Sequence, residues 1–338
     1  MGKSLVTGID IGHHSIKAVV LKPMGDTCAL VGYEELLVTA DIFTDNYTLD
    51  YQKIVKKLKQ LKKGLPLFSR KVALAIPDNA VISKSLPIDS DLEPREQEFA
   101  IYQAFSHQSP FPVEDLSFDF VEIANSTVAR SSTTTFQVYA TRTEVVDSRL
   151  HVSKKAGFEP ILIDVQVHSL LKLWQHASRA LRRADWMLID IGYSQSTLCL
   201  DWPDKMPFYK DIPFGTQRLD VEPRSEFAVN PLALQDPIQR FIDELVDKTA
   251  RQIQLFTSVH GAQHLSGLWL SGGGALMAGL TEALQQRLGL PCEVLDPFSL
   301  FTIDVARRQR PVRDGAQFST AAGLALRGLA WLEGEHAG

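Results

Sequence analysis

The chain has 338 residues, of which 45% are hydrophobic and 22% charged, so it has enough apolar side chains for a sizeable core and enough length for two domains. Its formal net charge of −5 argues against nucleic acid as the main partner, because a surface that binds many phosphates needs the opposite sign. No run approaches the ~20 apolar residues of a membrane-spanning helix, and the three cysteines lack the C-x-x-C spacing of a zinc site. We therefore expect a cytoplasmic protein with free thiols.

The first stretch with recognisable chemistry is a strand, a turn and a second strand over Leu5–Lys17. Glycine lets the backbone of such a turn approach a ligand, the N–H groups and hydroxyls after it can donate to phosphate oxygens, and a carboxylate suits Mg²⁺ held largely through water. The candidate phosphate and Mg²⁺ ligands of this turn are Asp10, Gly12, His13, His14, Ser15 and Lys17. The adjacent histidines have no evident third ligand, so a dedicated metal site is not favoured.

Further strands are predicted over Ile16–Leu21, Ala29–Val38 and Lys71–Ile76, with a helix over Leu49–Lys63. The apolar residues of that helix recur at helical spacing, and its other face carries six lysines: Lys53, Lys56, Lys57, Lys59, Lys62 and Lys63. A basic helix can contact an anionic membrane. A solvated lysine face over a core helix is more common, and it is the interpretation that we adopt.

An additional unit is predicted between residues 83 and 157. Its elements are, in order, strand Val81–Leu86, helix Glu93–Ser106, strands Leu116–Ile123 and Thr135–Thr141, and helix Glu144–Gly157. Thr143 is the expected N-cap of the last helix. The order strand, helix, strand, strand, helix is compact enough for an inserted subdomain.

The first motif recurs half a chain later, over Met187–Leu198, after a predicted hinge at Arg179–Asp185. Asp190 occupies the place that Asp10 has in the first copy, which indicates two halves built to one plan. The candidate ligands of the second turn are Asp190, Gly192, Ser194, Gln195, Ser196 and Thr197. Asp and Gly are ordinary turn residues, so the repetition carries more weight than either copy.

A third element follows over Leu268–Leu280, where a strand runs into Gly272–Gly274 and then into a helix. Consecutive glycines leave room for a flat group, such as a nucleoside, close to the backbone. The alternative is an ordinary tight turn between a strand and a helix. With long helices expected over Asp236–Val259 and Ala316–Leu332, the sequence predicts an α/β fold with a cleft between two lobes.

Two Asp-Gly turns and a late Gly-rich loop resemble the actin, sugar-kinase and Hsp70 superfamily of ATP-binding proteins. Within it the chain resembles the PilM family of type IV pilus assembly proteins, which is actin-like and related to FtsA. The run Gln108–Phe120 is the most specific part of this resemblance, because nucleotide binding alone does not require it. The other matching segments are Ala80–Ile88, Ala156–Val165, Ile212–Gly215 and Thr320–Leu329.

The resemblance implies an actin-like (ribonuclease H-like) duplicated two-lobe ATPase fold with an FtsA/PilM-type inserted subdomain 1C. The first lobe is expected over residues 1–180, with core subdomain 1A at 1–82 and 158–180 and subdomain 1C at about 83–157. The second lobe, with the rest of the nucleotide-binding core, is expected over residues 181–338.

The resemblance also implies ATP or ADP with Mg²⁺ as cofactors. Asp10 and Asp190 would flank the metal, and Gly215, Gly272–Gly274 and Ala275 would join the two turns around the nucleotide. No catalytic residue stands out, so we expect ATP binding with at most weak hydrolysis. The segment 216–241 is shorter and richer in proline than in the family, which removes part of the expected adenosine pocket.

Proteins of this family take the N-terminal cytoplasmic tail of the inner-membrane protein PilN into a groove between subdomains 1A and 1C, and are linked through it to PilO, PilP and the pilus motor ATPases. The resemblance therefore implies a location at the inner-membrane face through partners only, with homo-oligomerisation left open. The expected groove residues are Val81, Ser83, Phe99, Tyr102, Phe105 and Phe111.

Three other functions are compatible with the superfamily. A small-molecule kinase needs a carboxylate base facing a sugar-sized pocket, and the inserted unit has few convergent polar groups. An FtsA-type division protein needs a basic amphipathic C-terminal helix, whereas this sequence ends in the acidic WLEGEHAG. A scaffold of another pilus or of a type II secretion system is the alternative that the sequence separates least.

Overall fold

The computed structural model describes residues 5–25, 27–38, 42–44, 47–123, 132–202, 205–220, 236–260, 265–305 and 314–335. Most of the segment 216–241, and most of the loop predicted at 125–134, lie outside these described residues. The strands, in chain order, are β1 (Val6–Ile11), β2 (Ser15–Met24), β3 (Thr27–Leu37), β4 (Lys71–Ile76), β5 (Ile82–Asp89), β6 (Leu116–Ile123), β7 (Thr133–Arg142), β8 (Glu159–Val165), β9 (Trp186–Ile191), β10 (Ser196–Trp202), β11 (Lys205–Ile212), β12 (Gly267–Ser271), β13 (Cys292–Val294) and β14 (Thr302–Ile303). The helices are α1 (Tyr51–Gly64), α2 (Pro94–Ser106), α3 (Thr143–Ala156), α4 (Gln166–Leu181), α5 (Gln217–Asp220), α6 (Pro237–His260), α7 (Leu280–Leu288) and α8 (Ser319–Glu335).

Two of the three sheets are built to the same plan. The first has the strand order β14-β3-β2-β1-β4-β8 and the second the order β11-β10-β9-β12-β13. In each, three antiparallel strands are followed by two parallel ones, so β9 occupies the place that β1 has in the first sheet. The first sheet has β14 as an additional strand, parallel to β3 at its edge. The duplication that the repeated Asp-Gly motif predicts is therefore present in the fold.

Helix α1 shows how the sequence pattern sets one of these elements. It begins after Asp50, whose Oδ1 accepts the N–H of Lys53 at 3.2 Å and so caps the helix. Its apolar stripe is buried through Ile54, Leu58 and Leu61, and the lysines lie on the other side. Among the helices in the described ranges, none is both long and apolar enough to cross a membrane.

Two predicted helix starts differ from the structure. Thr143 is the first residue of α3 and follows Arg142, and no side chain caps the helix there, so the predicted capping by Thr143 is wrong. The helix predicted from Leu276 begins only at Leu280, because Gly279 before it has a φ of 84° that a helix cannot contain. The turns over 272–279 therefore take the place of the first helical turn.

The inserted strands form a third sheet with the order β5-β7-β6. Helix α2 packs on β5, and these elements enclose their own apolar cluster, which includes Leu86, Ile101, Phe105 and Val138. Within the described part of the chain, β6 pairs with β7 on one side and with no strand on the other. One long edge of β6 is thus open.

Helix α8 joins the two halves by lying against both β1 and α4. A β-carbon at Gly8 of β1 would lie 2.0 Å from the carbonyl oxygen of Ala321, and one at Gly323 would lie 2.0 Å from the carbonyl oxygen of Ser169. No side chain fits at such distances, so both positions need glycine. Because α4 also packs on β10, this crossing connects the two sheets through one apolar cluster.

Replacing Gly323 by alanine should lower the free energy of unfolding by about 3 kcal/mol, because the added methyl group would overlap the Ser169 carbonyl and push α8 away from α4. Gly334, in the same helix, has open space where its β-carbon would lie, so Gly334→Ala should be neutral or stabilising by up to about 1 kcal/mol. Chemical denaturation of the two variants measures the difference. Equal effects at both positions would contradict the close crossing.

Candidate functional site

The two Asp-Gly turns have the same backbone structure. In each, the glycine N–H donates to the carbonyl oxygen three residues later, at 3.1 Å from Gly12 and 3.0 Å from Gly192. Asp10 in β1 and Asp190 in β9 precede these glycines by two residues. The two carboxylates therefore come from equivalent ends of equivalent strands.

The Gly-rich loop after β12 lies directly beside the second turn. Gly272 has a φ of 85°, and its β-carbon would lie 2.5 Å from the carbonyl oxygen of Ile191. A β-carbon at Gly274 would lie 2.4 Å from the Cγ2 of the same isoleucine, whereas one at Gly273 would meet nothing within 4 Å. Two of the glycines are thus needed for packing, and only Gly273 leaves open space for a ligand.

These elements line one cleft of about 630 Å³ between the two halves, a volume within the range of small-molecule sites. Fourteen of the seventeen predicted nucleotide-binding residues line it: Asp10, Gly12, His13, His14, Ser15, Lys17, Asp190, Gly192, Ser194, Gln195, Thr197, Gly272, Gly273 and Gly274. The fold thus brings together residues as far apart in sequence as Asp10 and Gly274.

The other three predicted residues do not line the cleft. Ser196 is fully buried, and its hydroxyl donates to the carbonyl oxygen of Phe214 at 2.8 Å. Ala275 is buried at 1% exposure. A β-carbon at Gly215 would lie 2.4 Å from the carbonyl oxygen of Tyr193, so this glycine packs against the second turn. These three residues pack behind the lining of the cleft, which differs from the prediction that they contact the nucleotide directly.

Two further hydroxyls that the sequence predicts as phosphate donors are engaged elsewhere. The Ser15 hydroxyl donates to a carboxylate oxygen of Glu35 at 2.7 Å, and the Thr197 hydroxyl donates to Asp211 at 2.7 Å. Each partner is on the neighbouring strand of the same sheet. Of the predicted hydroxyl donors, Ser194 is the exposed one, so backbone N–H groups are the main donors that the turns offer.

The two aspartates are held in an unfavourable electrostatic environment. Burial raises the pKa of Asp190 to about 6, and the negative charge of Asp10 raises it as well, against a hydrogen bond from the Ser271 hydroxyl at 2.8 Å. Burial likewise raises the pKa of Asp10, and Lys17 opposes this effect. A cation bound near both carboxylates would stabilise their ionised forms.

The predicted histidines lie at the rim of the cleft and contact aromatic rings. The ring of His13 lies 4.4 Å from that of Phe43, and the ring of His14 lies 5.3 Å from that of Tyr193. His14 belongs to the first turn and Tyr193 to the second, so this contact bridges the two halves. Within the described residues no group of three or more His, Cys, Asp or Glu side chains could hold a metal ion.

Two glutamines that the sequence analysis did not single out also line the cleft. Gln166 is the first residue of α4, and Gln317 lies just before α8. The Oε1 of Gln317 is buried and has no hydrogen-bond partner among the described residues. An amide can bind and orient a water molecule beside a phosphate. The duplication could have pointed to this pair, because each glutamine lies near the start of the last helix of its half.

A second cavity, of about 710 Å³, lies between the inserted sheet and the two halves; we call it the groove. One side is the open strand β6, where residues 117–123 all line the groove. The other sides come from β8, α4, β11 and α8. Val121 and Met206 contribute apolar side chains that are 54% and 38% exposed.

The groove contains a charged cluster that joins three parts of the chain. Asp164 of β8 is within 2.9 Å of the Nδ1 of His168 and also pairs with Arg327 of α8. Burial alone would raise the pKa of Asp164, but the hydrogen bonds and charges of His168 and Arg327 outweigh it and hold that pKa below its usual value. The ring of Tyr139, from β7, packs edge-on against His168 at 4.9 Å.

The predicted partner residues fall in different places. Val81 lines the groove, whereas Phe105 is fully buried in the apolar cluster of the inserted sheet and cannot contact a partner, so that part of the prediction is wrong. The Ser83 hydroxyl accepts a hydrogen bond from Gln137. The side chains exposed around α2, outside the residues that line the groove, are Phe99, Tyr102 and Phe111.

The cleft and the groove share a wall. At the end of β4, Ile76 lines the groove and Pro77 the cleft, and at the start of α4, His168 lines the groove and Gln166 the cleft. Asp78 ties the two segments together, because its Oδ1 accepts the N–H of Val167 at 3.1 Å. Burial and the charge of Asp211 raise the pKa of Asp78 to about 7.

Replacing Asp190 by asparagine should stabilise the nucleotide-free protein at pH 7. Its pKa is raised from 3.8 to about 6, so the folded state binds a proton more readily than the unfolded state, and stability falls as the pH rises through that interval. At roughly 1.4 kcal/mol per pKa unit, the cost above this interval is at most about 3 kcal/mol. Denaturation at pH 7 and pH 4 checks this, because the gain should vanish near pH 4. A variant that is less stable than the wild type at pH 7 would contradict the unbalanced charge.

Known structures share this architecture. A structure described as the PilM-PilN type IV pilus biogenesis complex matches with a TM-score of 0.76 and 23% identity, over 97% of this chain and 98% of that one. The ethanolamine utilization protein EutJ from Carboxydothermus hydrogenoformans matches with a TM-score of 0.54 and 17% identity, over 96% and 90% of the two chains. A diol dehydratase-reactivating factor in nucleotide-free form matches with a TM-score of 0.56 and 7% identity, over 97% and 100%.

These likenesses confirm the predicted actin-like, two-lobed α/β fold. At the level of sequence, residues 8–231 and 234–329 match the family described as type IV pilus assembly protein PilM. Because this match spans nearly the whole chain, the chain belongs to the PilM family of type IV pilus assembly proteins.

Proposed function

We propose that this chain is a cytoplasmic scaffold of the type IV pilus inner-membrane assembly complex that binds ATP or ADP with Mg²⁺ in the cleft and the N-terminal tail of a PilN-like protein in the groove. Through that partner it would be linked to PilO, PilP and the motor ATPases. Its first lobe would span residues 1–180, with subdomain 1C at about 83–157, and its second lobe residues 181–338. The observation that carries it is the open edge of β6 inside a groove lined by both halves and the inserted sheet.

The cleft fits a nucleotide with its metal. Two backbone turns offer N–H groups for phosphate oxygens, Gly273 leaves open space, and Lys17 adds a positive charge. Mg²⁺ bound with the phosphates would supply positive charge beside Asp10 and Asp190, whose pKa values desolvation raises, and it would coordinate carboxylate oxygens directly or through water. Binding of the nucleotide with its metal would therefore offset the free-energy cost of holding two ionised carboxylates in the free protein.

The groove fits an extended peptide. A peptide beside β6 can hydrogen-bond to the backbone groups that β7 leaves unpaired, which is how strand addition gives affinity. Val121 and Met206 offer apolar contacts for its side chains, and the cluster of Asp164, His168 and Arg327 offers polar ones. The structure described as a PilM-PilN type IV pilus biogenesis complex has the same fold and names PilN as the other component.

The shared wall supports control of one site by the other. A nucleotide that draws the two turns together would act on the ends of β4 and α4, and neighbouring residues of the same two segments form one side of the groove. The effect on peptide affinity is limited to the difference in nucleotide affinity between the two arrangements of the lobes. ATP would therefore act as a conformational ligand.

Replacing Gly273 by leucine should weaken Mg-ATP binding at least tenfold, because the new side chain would occupy the open space beside the loop. Folded stability should stay within about 0.5 kcal/mol of the wild type, since nothing lies within 4 Å of the new β-carbon. Isothermal titration calorimetry measures the affinity. Unchanged nucleotide affinity in a folded variant would exclude this cleft as the site.

Replacing Val121 by aspartate should weaken the binding of a synthetic PilN-tail peptide at least tenfold, because a desolvated carboxylate would replace an apolar contact on β6. The matched control is Phe99→Asp, which places the same charge on a side chain that is 65% exposed and outside the groove. Fluorescence anisotropy measures both. Loss of binding in the Phe99 variant alone would place the partner on α2, as the sequence predicts.

A further inference from the structure

The loop between α1 and β4 presents two apolar side chains to solvent. Leu67 is 83% exposed and Phe68 is 85% exposed, the highest values among the large hydrophobic residues described. Leu65, two residues before Leu67, and Ser69, directly after Phe68, are buried at 4% and 3% exposure. The two side chains therefore protrude from a loop that is anchored at both ends.

The anchoring comes from specific contacts. The Ser69 hydroxyl donates to the carbonyl oxygen of Pro66 at 2.6 Å, and the Thr7 hydroxyl donates to the carbonyl oxygen of Ser69 at 3.3 Å. Pro66 lies so close to Gly32 that a β-carbon there would be 2.5 Å from its Cδ. Phe68 has a φ of 70°, a left-handed conformation that is strained for an aromatic residue, and its exposure means that little packing offsets the strain.

A stripe of positive charge runs along α1 toward this loop. Lys56, Lys59 and Lys63 are exposed and follow one another at intervals of three and four residues, which places them on one face of the helix. The described residues offer these three lysines no ion pair, whereas Lys53 is paired with Asp50. Arg70, after the loop, is also exposed.

We propose that the basic face, defined as Lys56, Lys59, Lys63, Leu67 and Phe68, binds an anionic lipid bilayer directly. Lysines near an anionic bilayer surface strengthen binding about fivefold each, and a leucine and a phenylalanine fixed at the end of the stripe can enter the headgroup region. The chain as a whole is negative, at −5, so such a surface would attract it only in the orientation that presents this face.

This contact goes beyond the proposed function, because none of its residues lines the groove or the cleft. It would give a scaffold held by a flexible peptide tail a second attachment and a fixed orientation at the membrane. Two weak attachments on one body act together, so modest lipid affinity is enough. The lysines cover a core helix, as predicted, and the protruding, strained loop beside them is what suggests a membrane contact in addition.

Sedimentation with vesicles tests the proposal, using the full chain. Vesicles of phosphatidylglycerol and phosphatidylethanolamine should bind the wild type, less so as salt rises, and vesicles of phosphatidylcholine should not. Leu67→Ser with Phe68→Asn should reduce binding at least tenfold, and asparagine suits the left-handed φ at position 68, so the fold is not weakened. Lys56→Gln, Lys59→Gln and Lys63→Gln together should reduce binding about 100-fold.

The controls remove the same groups elsewhere. Lys84→Gln, Arg95→Gln and Arg251→Gln remove three exposed charges, and Leu255→Ser with Val259→Ser removes two exposed apolar side chains of α6. Both controls should bind like the wild type. The proposal is overturned if the wild type binds phosphatidylglycerol vesicles no better than phosphatidylcholine vesicles, a result that would favour an acidic protein as the partner of this face. It is also overturned if the control variants lose as much binding as the test variants. Binding of the PilN-tail peptide is measured in solution without lipid as well. A chain that binds the peptide but not the vesicles contradicts the membrane contact alone, and leaves the proposed function intact.

Discussion

Helix α8 can lie flat on β1 and α4 because Gly8 and Gly323 have no side chains, and the positions of both cavities follow from that crossing. Near its start, Thr320 lines the cleft, and two turns later Arg327 lines the groove. One continuous helix thus borders both cavities. Helix α8 packs on the first sheet and on α4, and α4 packs on β10 of the second sheet. A movement of the second half relative to the first that changes the cleft would therefore act on α8, and on the charged cluster of the groove, through α4.

The ends of β4 and α4 form the second connection between the cavities. Asp78 accepts a hydrogen bond from the first turn of α4, while its other carboxylate oxygen is buried without a hydrogen-bond partner among the described residues. Burial and, after it, the negative charge of Asp211 from the second half raise the pKa of Asp78. Asp211 also accepts a hydrogen bond from the Thr197 hydroxyl. The wall between cleft and groove therefore carries charge from both lobes, and its geometry depends on how closely the lobes approach.

The sequence was sufficient for the features that are local or repeated. The duplicated fold follows from two Asp-Gly strand-turn-strand motifs, and the cleft from their combination with the Gly-rich loop. Features set by strand register were not predictable in the same way: the Ser15 and Thr197 hydroxyls are engaged by Glu35 and Asp211, which reach them across neighbouring strands. Composition cannot reveal which hydroxyl faces a neighbour and which faces a ligand.

The proposed partner site shows the same limit. Aromatic residues around α2 suggest a binding surface, yet the orientation of one helix decides that Phe105 is core and Phe99 is exposed. The groove is bounded by β6 instead. The open edge of β6 follows from the strand order β5-β7-β6, and the hydrophobic pattern of the sequence does not show which strands pair with each other. Gln166 is found only when the end of β8 and the start of α4 are placed beside the turns.

The most direct measurement is the affinity of the wild type for a PilN-tail peptide with and without saturating Mg-ATP, and for Mg-ATP with and without saturating peptide. If the two cavities are coupled through their shared wall, each ligand changes the affinity for the other by the same factor, because linkage is reciprocal. Asp10→Ala should abolish the effect of nucleotide on peptide affinity while leaving peptide binding itself intact. Peptide binding that is indifferent to nucleotide, with both ligands bound at once, would contradict the coupling, and no peptide binding in either state would contradict the scaffold.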